Sequence, residues 1–474
     1  MKTTKSILLA TLLLISMISS KPVRGQTSTP STGPVYIVAS GDSLIEIAYK
    51  FNVTLDQIMV ANNIQDANQI YPGQQIIIPD LDGINGVLTS RVVSFGETER
   101  STSRQLRIPD AQLIKLNRVI SPTEFYAGAN LIILEDQGKP SWKKQSGLQP
   151  GETALEFSII NNSDPWTTSE INNLSTPSLA IPGDILFLPG TSPSDQMLGV
   201  PPAFQSITVD PLPLVQGTTT QIQVTANSEA TLSGELTGHT LVFFNLENND
   251  YVSLQGIHAL TEPGLYPLRL DATLPSGEKQ SFEQMVLIKS GNYPYEKLYV
   301  DPKSIDPAVT VPEEKLVESF TANVSPTRYW EGIFTSPASL YEATSFLTSR
   351  FGNRRTYYGI GTDLVITGFH TGMDFGGGVG LPITAPAAGV VVFAGPLDVR
   401  GNATIIDHGW GIFTGYWHQS EIKVQVGDKV EKDQLIGLVG GTGRVTGAHL
   451  HWEVWVNGVQ VNPMDWLVNI YPHP

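Results

Sequence analysis

The sequence predicts a multidomain, mainly β chain: small βααβ modules first, a β-sandwich in the middle and an all-β domain at the C-terminal end. Three observations carry this. At 474 residues the chain exceeds what one hydrophobic core organises, and at roughly 100 to 200 residues per domain about three domains are expected. Its 33 prolines, 16% charged residues and 41% hydrophobic residues suit compact modules joined by stiff segments better than a disordered chain. Short alternating runs broken by Gly, Pro and Asn fill the middle of the chain, and beyond about residue 340 strands become dense and helical periodicity almost vanishes.

Residues 1–25 carry Lys2 and Lys5, then an apolar run from Ile7 to Ile18, then small and polar residues. This is the layout of a secretory signal peptide, and the run is short of the ~20 residues that span a bilayer. The mature protein is expected to be exported to a bacterial cell envelope or beyond, with no membrane span after cleavage. Loss of Lys2, Lys5, Lys21 and Arg24 makes the net charge of −16 more negative still. Such a chain lacks the basic footprint that phosphate backbones need, so nucleic acid is excluded as a partner. With no cysteine, disulfides, thiolate ligands and a lipid-modified cysteine are excluded as well, and any metal must be held by imidazole and carboxylate.

Residues 35–80 open on an alternating strand and pass Gly41-Asp42-Ser43 as a helix start. Leu44, Ile47, Ala48 and Phe51 then follow at helical spacing. Leu55, Ile58 and Met59 mark a second helix, Pro72-Gly73 a turn and Ile76 to Pro79 a closing strand. This βααβ plan, with GDSL, Ala61-Asn62-Asn63 and YPGQQIIIP, resembles a LysM domain, which implies binding to glycans that contain N-acetylglucosamine. Two echoes follow at a period of roughly 55 residues. Residues 90–136 keep Val93 to Glu97, Leu116-Asn117 and Tyr126-Ala127-Gly128. Residues 146–190 keep Pro150 to Thr153, Ile171-Asn172-Asn173 and Ile181 to Pro189. Both resemble diverged LysM repeats. The later one has no clear first-helix pattern, so spacer and sugar-binding roles both stay open for it.

Residues 201–290 hold short alternating runs (Ile207 to Val209, Thr220 to Val224, Thr240 to Phe244, Tyr266 to Leu270, Phe282 to Ile288) and read as a β-sandwich. His239 and His258 stand there singly, as surface or core histidines do. Residues 291–340, rich in Pro, Tyr and Ser, read as a connector packed on a neighbour.

Residues 341–470 form the last domain. His370 and Asp374 are four apart and surrounded by glycines, which disfavour a helix and place them on a strand and loop. In His449-Leu450-His451-Trp452-Glu453-Val454 the strand period sends His449, His451 and Glu453 to one face. His418 ends a separate strand and reaches the same cleft only through the fold. Two imidazoles and one carboxylate leave a fourth tetrahedral position open, as in catalytic zinc sites.

HTGMDF, TAPAAGVVVFAG, IDHGWGIFTGYWHQS, VGDKVEKDQLIGLVGGTGRVTGAHLHWEV and VNPMDWL together resemble the lysostaphin/LytM family of zinc peptidoglycan endopeptidases, in the family's order. The resemblance implies Zn²⁺ held by His370, Asp374 and His451, with His418 and His449 as catalytic residues. It also implies a substrate of peptidoglycan peptide stems and glycan strands. Trp417 and Gln419 depart from the family pattern and raise a question of substrate fit. His408 is expected to be structural, and Arg354 either faces the cleft or forms a structural ion pair. The hairpin from Val426 to Gly437 resembles that of biotinyl carrier domains but lacks a suitably placed lysine. The competing function is a non-enzymatic wall-binding activator of other hydrolases, a role usually accompanied by loss of the zinc ligands.

Overall fold

The computed structural model describes residues 33–473 except 82, 119–120, 122–123, 136–143, 149–150, 190–198 and 342–346. The leader at residues 1–25 lies outside the described residues. The chain divides into two compact units, Met1–Thr89 and Ser90–Pro474.

In the first unit, strand Val35–Ile37 pairs antiparallel with Gln75–Ile77 and parallel with Val87 and Leu88. Helices Leu44–Phe51 and Leu55–Asn62 lie between, each opened by a capping box, Ser43 with Glu46 and Thr54 with Gln57. Each box satisfies backbone N–H groups that the first turn leaves free. Leu44, Ile47, Ala48, Phe51 and Ile58 form the buried face. Asn62 ties the second helix to the closing strand: its Nδ2 donates to the Ile58 and Ile77 carbonyls at 2.9 and 2.8 Å, and its Oδ1 accepts from Ile77 N at 2.6 Å.

The same bracket recurs twice in the second unit. Asn117 bonds Leu113 and Ile132, and Asn172 bonds Thr168 and Phe187, each reaching 15 residues forward to both the carbonyl and the N–H of one strand residue. The helices also repeat: Glu99–Leu106 with Asp110–Asn117, then Ala154–Ile160 with Pro165–Ile171. The first helix of the last repeat is thus well formed, although its apolar spacing was unclear. Ala154 and Phe157 are buried while Leu155, Ile159 and Ile160 are 51 to 73% exposed, so the helix is apolar on both faces and its periodicity is blurred. The legible signal is the capping box of Thr153 and Glu156.

Residues 204–289 form a five-stranded and a four-stranded sheet. One core of both sheets contains Ile207, Ile222, Val224, Leu268, Leu270 and Val286. Strands Thr231–Leu236 and Asp250–Gly256 add to the runs visible in sequence. The segment read as a connector holds a strand, Tyr295–Val300, a 3₁₀ turn, Pro302–Ile305, and a helix, Pro307–Thr321. Pro307 and Pro312 obscure that helix in the sequence, the first being tolerated at its opening position.

The main C-terminal sheet runs, in spatial order, Leu347–Ser349, Met373–Gly376, His449–Val456, Ile412–Gln419, Gly401–Gly409, Gly389–Leu397 and Lys429–Val430. Its core does not stop at the sheet. Val252, Leu254 and Ala259 of the preceding β-region lie in one buried cluster with Trp410, Val454, Val456 and Trp466. Phe244 stacks on Trp410 at 4.4 Å, and the Trp466 indole N–H donates to Thr219 Oγ1 at 3.0 Å. His408 is fully buried, with Nδ1 at 2.8 Å from the Ala388 carbonyl and Nε2 at 2.8 Å from Thr414 Oγ1. It lies within strand Gly401–Gly409 and not in a turn after it, with both ring nitrogens engaged in the core.

Candidate metal centre and active site

Strand register builds the site. Asp374 and His451 are direct partners across the antiparallel pair Met373–Gly376 and His449–Val456, so their side chains stand on one face. His370 closes the preceding loop. A Cβ at Gly372 would lie 2.2 Å from the Trp452 carbonyl and 2.8 Å from His451 Nε2; only glycine lets this loop approach the histidine strand so closely. His370 Nε2, Asp374 Oδ1 and His451 Nδ1 stand 2.8 to 3.1 Å from one another.

The outward nitrogens are held too. His370 Nδ1 faces the Arg350 carbonyl at 2.8 Å and Ser349 Oγ at 3.2 Å. His451 Nε2 faces Glu453 Oε1 at 2.9 Å, and that oxygen also accepts from Thr371 Oγ1 at 2.7 Å and Trp417 Nε1 at 2.9 Å. Partners of this kind fix the tautomer and orientation of ligating imidazoles. Ligands ~2.0 to 2.1 Å from one tetrahedral Zn²⁺ stand roughly 3.3 Å apart, so an outward shift of a few tenths of an ångström fits the ion among these three. Burial alone would raise the Asp374 carboxyl, but hydrogen bonds from His370 and His451 hold it well below its usual range. Burial likewise opposes a charge on His451, yet its bonds to Asp374 and Glu453 push its pKa up to about 9. The pocket therefore stabilises positive charge at this point.

His418 and His449 stand beside the cluster, with ring centroids 4.9 Å apart. His449 Nε2 is 3.6 Å from Asp374 Oδ1, while its Nδ1 faces the Gly447 carbonyl at 2.9 Å. His418 Nδ1 faces the Thr442 carbonyl at 2.8 Å. Both rings thus present Nε2 to the cleft. Burial first, then the neighbouring His451 and His449, push His418 down to about 3. His418 sits at φ 64° where the pairing of strand Ile412–Gln419 slips. That irregular backbone, absent from simple alternation, brings its ring to the cluster.

The two departures at 417 and 419 are core positions. Trp417 is 1% exposed and its indole N–H holds Glu453. Gln419 is buried and bonds Thr404 Oγ1 and the Tyr416 carbonyl. Arg354 does not face the cleft: its guanidinium lies over the Tyr295 ring. The adjacent residue, Arg355, points the other way, pairing with Glu296 at 3.1 Å and reaching Ser349 Oγ at 2.8 Å, behind His370. Glu453 and Arg355 are the supporting residues that sequence reasoning passed over. Glu453 was placed on the histidine face by the strand period; Arg355 had no such signal. His258, read as a lone histidine, packs edge-on against Phe369 at 5.1 Å, one residue before His370.

With this fold and site, the chain carries a domain of Peptidase family M23 at residues 368–463 and a LysM domain at residues 36–79. The chain is 46% identical over 95 residues to the peptidoglycan DD-endopeptidase ShyA of Vibrio cholerae, covering 20% of this chain and 22% of ShyA. It is 44% identical over 96 residues to the DD-carboxypeptidase/endopeptidase Mpg of Neisseria meningitidis, covering 20% of this chain and 22% of Mpg. The match thus spans about a fifth of each relative's length. Among solved structures, the lysostaphin catalytic domain of Staphylococcus simulans aligns with 28% identity and a TM-score of 0.24, over 28% of this chain and 100% of that one. No helix among the described residues is long and apolar enough to cross a membrane.

Proposed function

We propose that this protein is an exported zinc metallo-endopeptidase that hydrolyses peptide cross-links of bacterial peptidoglycan, held to the wall glycan by its LysM domain. The observation that carries the reading is the convergence of His370 Nε2, Asp374 Oδ1 and His451 Nδ1 within 3.1 Å, beside two further imidazoles. His370, Asp374 and His451 would hold the ion, and a bound Zn²⁺ supplies Lewis acidity toward the scissile carbonyl and water. The chain's own residues do the rest. Nδ1 of His418 and of His449 is tied to a backbone carbonyl, which leaves each Nε2 free to take the proton of the attacking water or to return it to the departing amine. Water adds to the carbonyl carbon, the C–N bond breaks, and a carboxylate and a new amine terminus result. Glu453 and Arg355 keep the two metal-facing imidazoles in register.

Export is supported by the leader composition, and glycan targeting by the LysM match. A tether raises local substrate concentration without any new contact at the cleft. The test is mass spectrometry of muropeptides after digestion with purified, zinc-loaded protein, which should contain new amine termini at former cross-links. Zinc-loaded protein that releases none, yet accelerates a second hydrolase, would support the activator instead. Residues 33–89 alone should be retained on insoluble cell wall, and free passage would remove the targeting role.

A further inference from the structure

Two carboxylates on the segment ahead of the last domain reach the histidine cluster, each through an arginine. Both stand upstream of residues 368–463, where the peptidase family match lies. Neither lies on a strand of the main C-terminal sheet.

Glu296, on strand Tyr295–Val300, is the direct partner of Arg355 across a parallel pair. Its Oε2 accepts from Arg355 Nε at 3.1 Å, and its Oε1 accepts from Asn353 Nδ2. Each of these two residues leads to His370. The Asn353 carbonyl accepts the His370 backbone N–H at 2.8 Å. Arg355 Nη2 donates to Ser349 Oγ at 2.8 Å, and that oxygen stands 3.2 Å from His370 Nδ1. One carboxylate thus steadies both the backbone and the ring of His370.

Glu313, on helix Pro307–Thr321, does the same on the other side of the site. Its side chain is 4% exposed; it accepts from the Val399 and Arg400 backbone N–H groups and, at 3.1 Å, from Arg400 Nη1. The Arg400 carbonyl in turn accepts the His418 backbone N–H at 2.9 Å. The Arg400 guanidinium lies 5.4 Å over the Trp417 ring, whose indole N–H holds the Glu453 oxygen that faces His451. Burial works against the Arg400 charge, but the carboxylates of Glu453, Glu314 and Glu313 more than restore it. Desolvated pairs of this kind add little net stability, whereas their directed, charge-assisted bonds fix geometry.

We infer that Glu296 and Glu313 are positioning residues of the active site: Glu296 fixes His370 through Asn353 and Arg355, and Glu313 fixes His418 and His451 through Arg400. The inference rests on the zinc peptidase reading above and extends the functional unit back to strand Tyr295–Val300.

The experiment measures zinc affinity, by competition with a chelating dye, and melting temperature of the full chain with Glu296→Gln, Glu313→Gln or Arg400→Gln. Direct partners of ligating imidazoles carry about 10- to 100-fold in metal affinity. Standing further out, Glu296 and Glu313 should each carry about 3- to 10-fold. On cross-linked peptides Glu313→Gln should also lower kcat with KM unchanged, because it acts on His418. The double variant Glu313→Gln/Arg400→Gln should bind zinc no more weakly than Arg400→Gln, since the two residues act in series. Ile222→Val, in the core of the middle β-region, is the control: it lowers the melting temperature and should leave zinc affinity unchanged. Unchanged affinity in both glutamate variants, affinity that falls equally in the control, or additive losses in the double variant would overturn the inference. If the native chain binds zinc yet cuts no cross-linked peptide, the hydrolase reading fails alone and the zinc titrations still decide the positioning roles. A native chain that binds no zinc overturns both.

Discussion

Glu453 gathers the His451 imidazole, the Trp417 indole and the Thr371 hydroxyl on a single buried oxygen, so three chain segments meet one step behind the His370, Asp374 and His451 cluster. Glu453→Gln should therefore weaken zinc binding by about 10- to 100-fold without unfolding the domain, as read by competition with a chelating dye. Unchanged affinity would mean that the carboxylate is only packing. His418→Ala and His449→Ala should keep their zinc and lose about 10²- to 10⁴-fold in kcat, measured as release of new amine termini. The HTGMD and HLH spacing makes most of this legible in the sequence, because strand alternation assigns His449, His451 and Glu453 to one face. The reach of His418 is not legible, since it depends on a pairing slip and a left-handed backbone that alternation cannot anticipate.

At the scale of elements, strand Gly401–Gly409 has a pH limit built into it. Burial pushes His408 down to about 4, from roughly 6.5 in an unfolded chain. A depressed folded-state pKa means that the neutral form contributes stability that is complete above about pH 6.5 and is lost as pH falls toward about 4. Between pH 7 and 4.5 the native chain should lose about 2 to 3 kcal/mol more unfolding free energy than His408→Gln, by urea denaturation at each pH. Parallel curves would show that the imidazole finds its proton without unfolding. Element order in the βααβ repeats was readable from capping residues and turn glycines. The helix Pro307–Thr321 was not, because its prolines imitate a connector. It nevertheless carries Glu313, which accepts the Val399 and Arg400 backbone N–H groups at 2.7 and 3.1 Å.

For the whole molecule, the decisive feature is that the middle β-region and the last domain share one core. Gly256 packs so closely on Val459 and Val461 that a Cβ there would lie 2.8 Å from both side chains, and Asn462 N donates to the Gly217 carbonyl at 2.7 Å. A fragment of residues 341–474 would expose that face and should melt at least about 10 °C below residues 201–474 by calorimetry. Equal melting temperatures would show that the contact adds nothing. This merger was invisible in sequence, where an apolar residue facing a neighbour reads the same as one facing its own sheet.

The hydrolytic account depends on His370, Asp374 and His451 meeting at a single ion. X-ray absorption at the zinc edge, with metal analysis of the native chain and of Asp374→Ala, tests this most directly. The account predicts about one zinc per chain with nitrogen and oxygen neighbours at ~2.0 to 2.1 Å, lost in the variant. A native chain that takes up no zinc, or one whose zinc persists unchanged in Asp374→Ala, would contradict it.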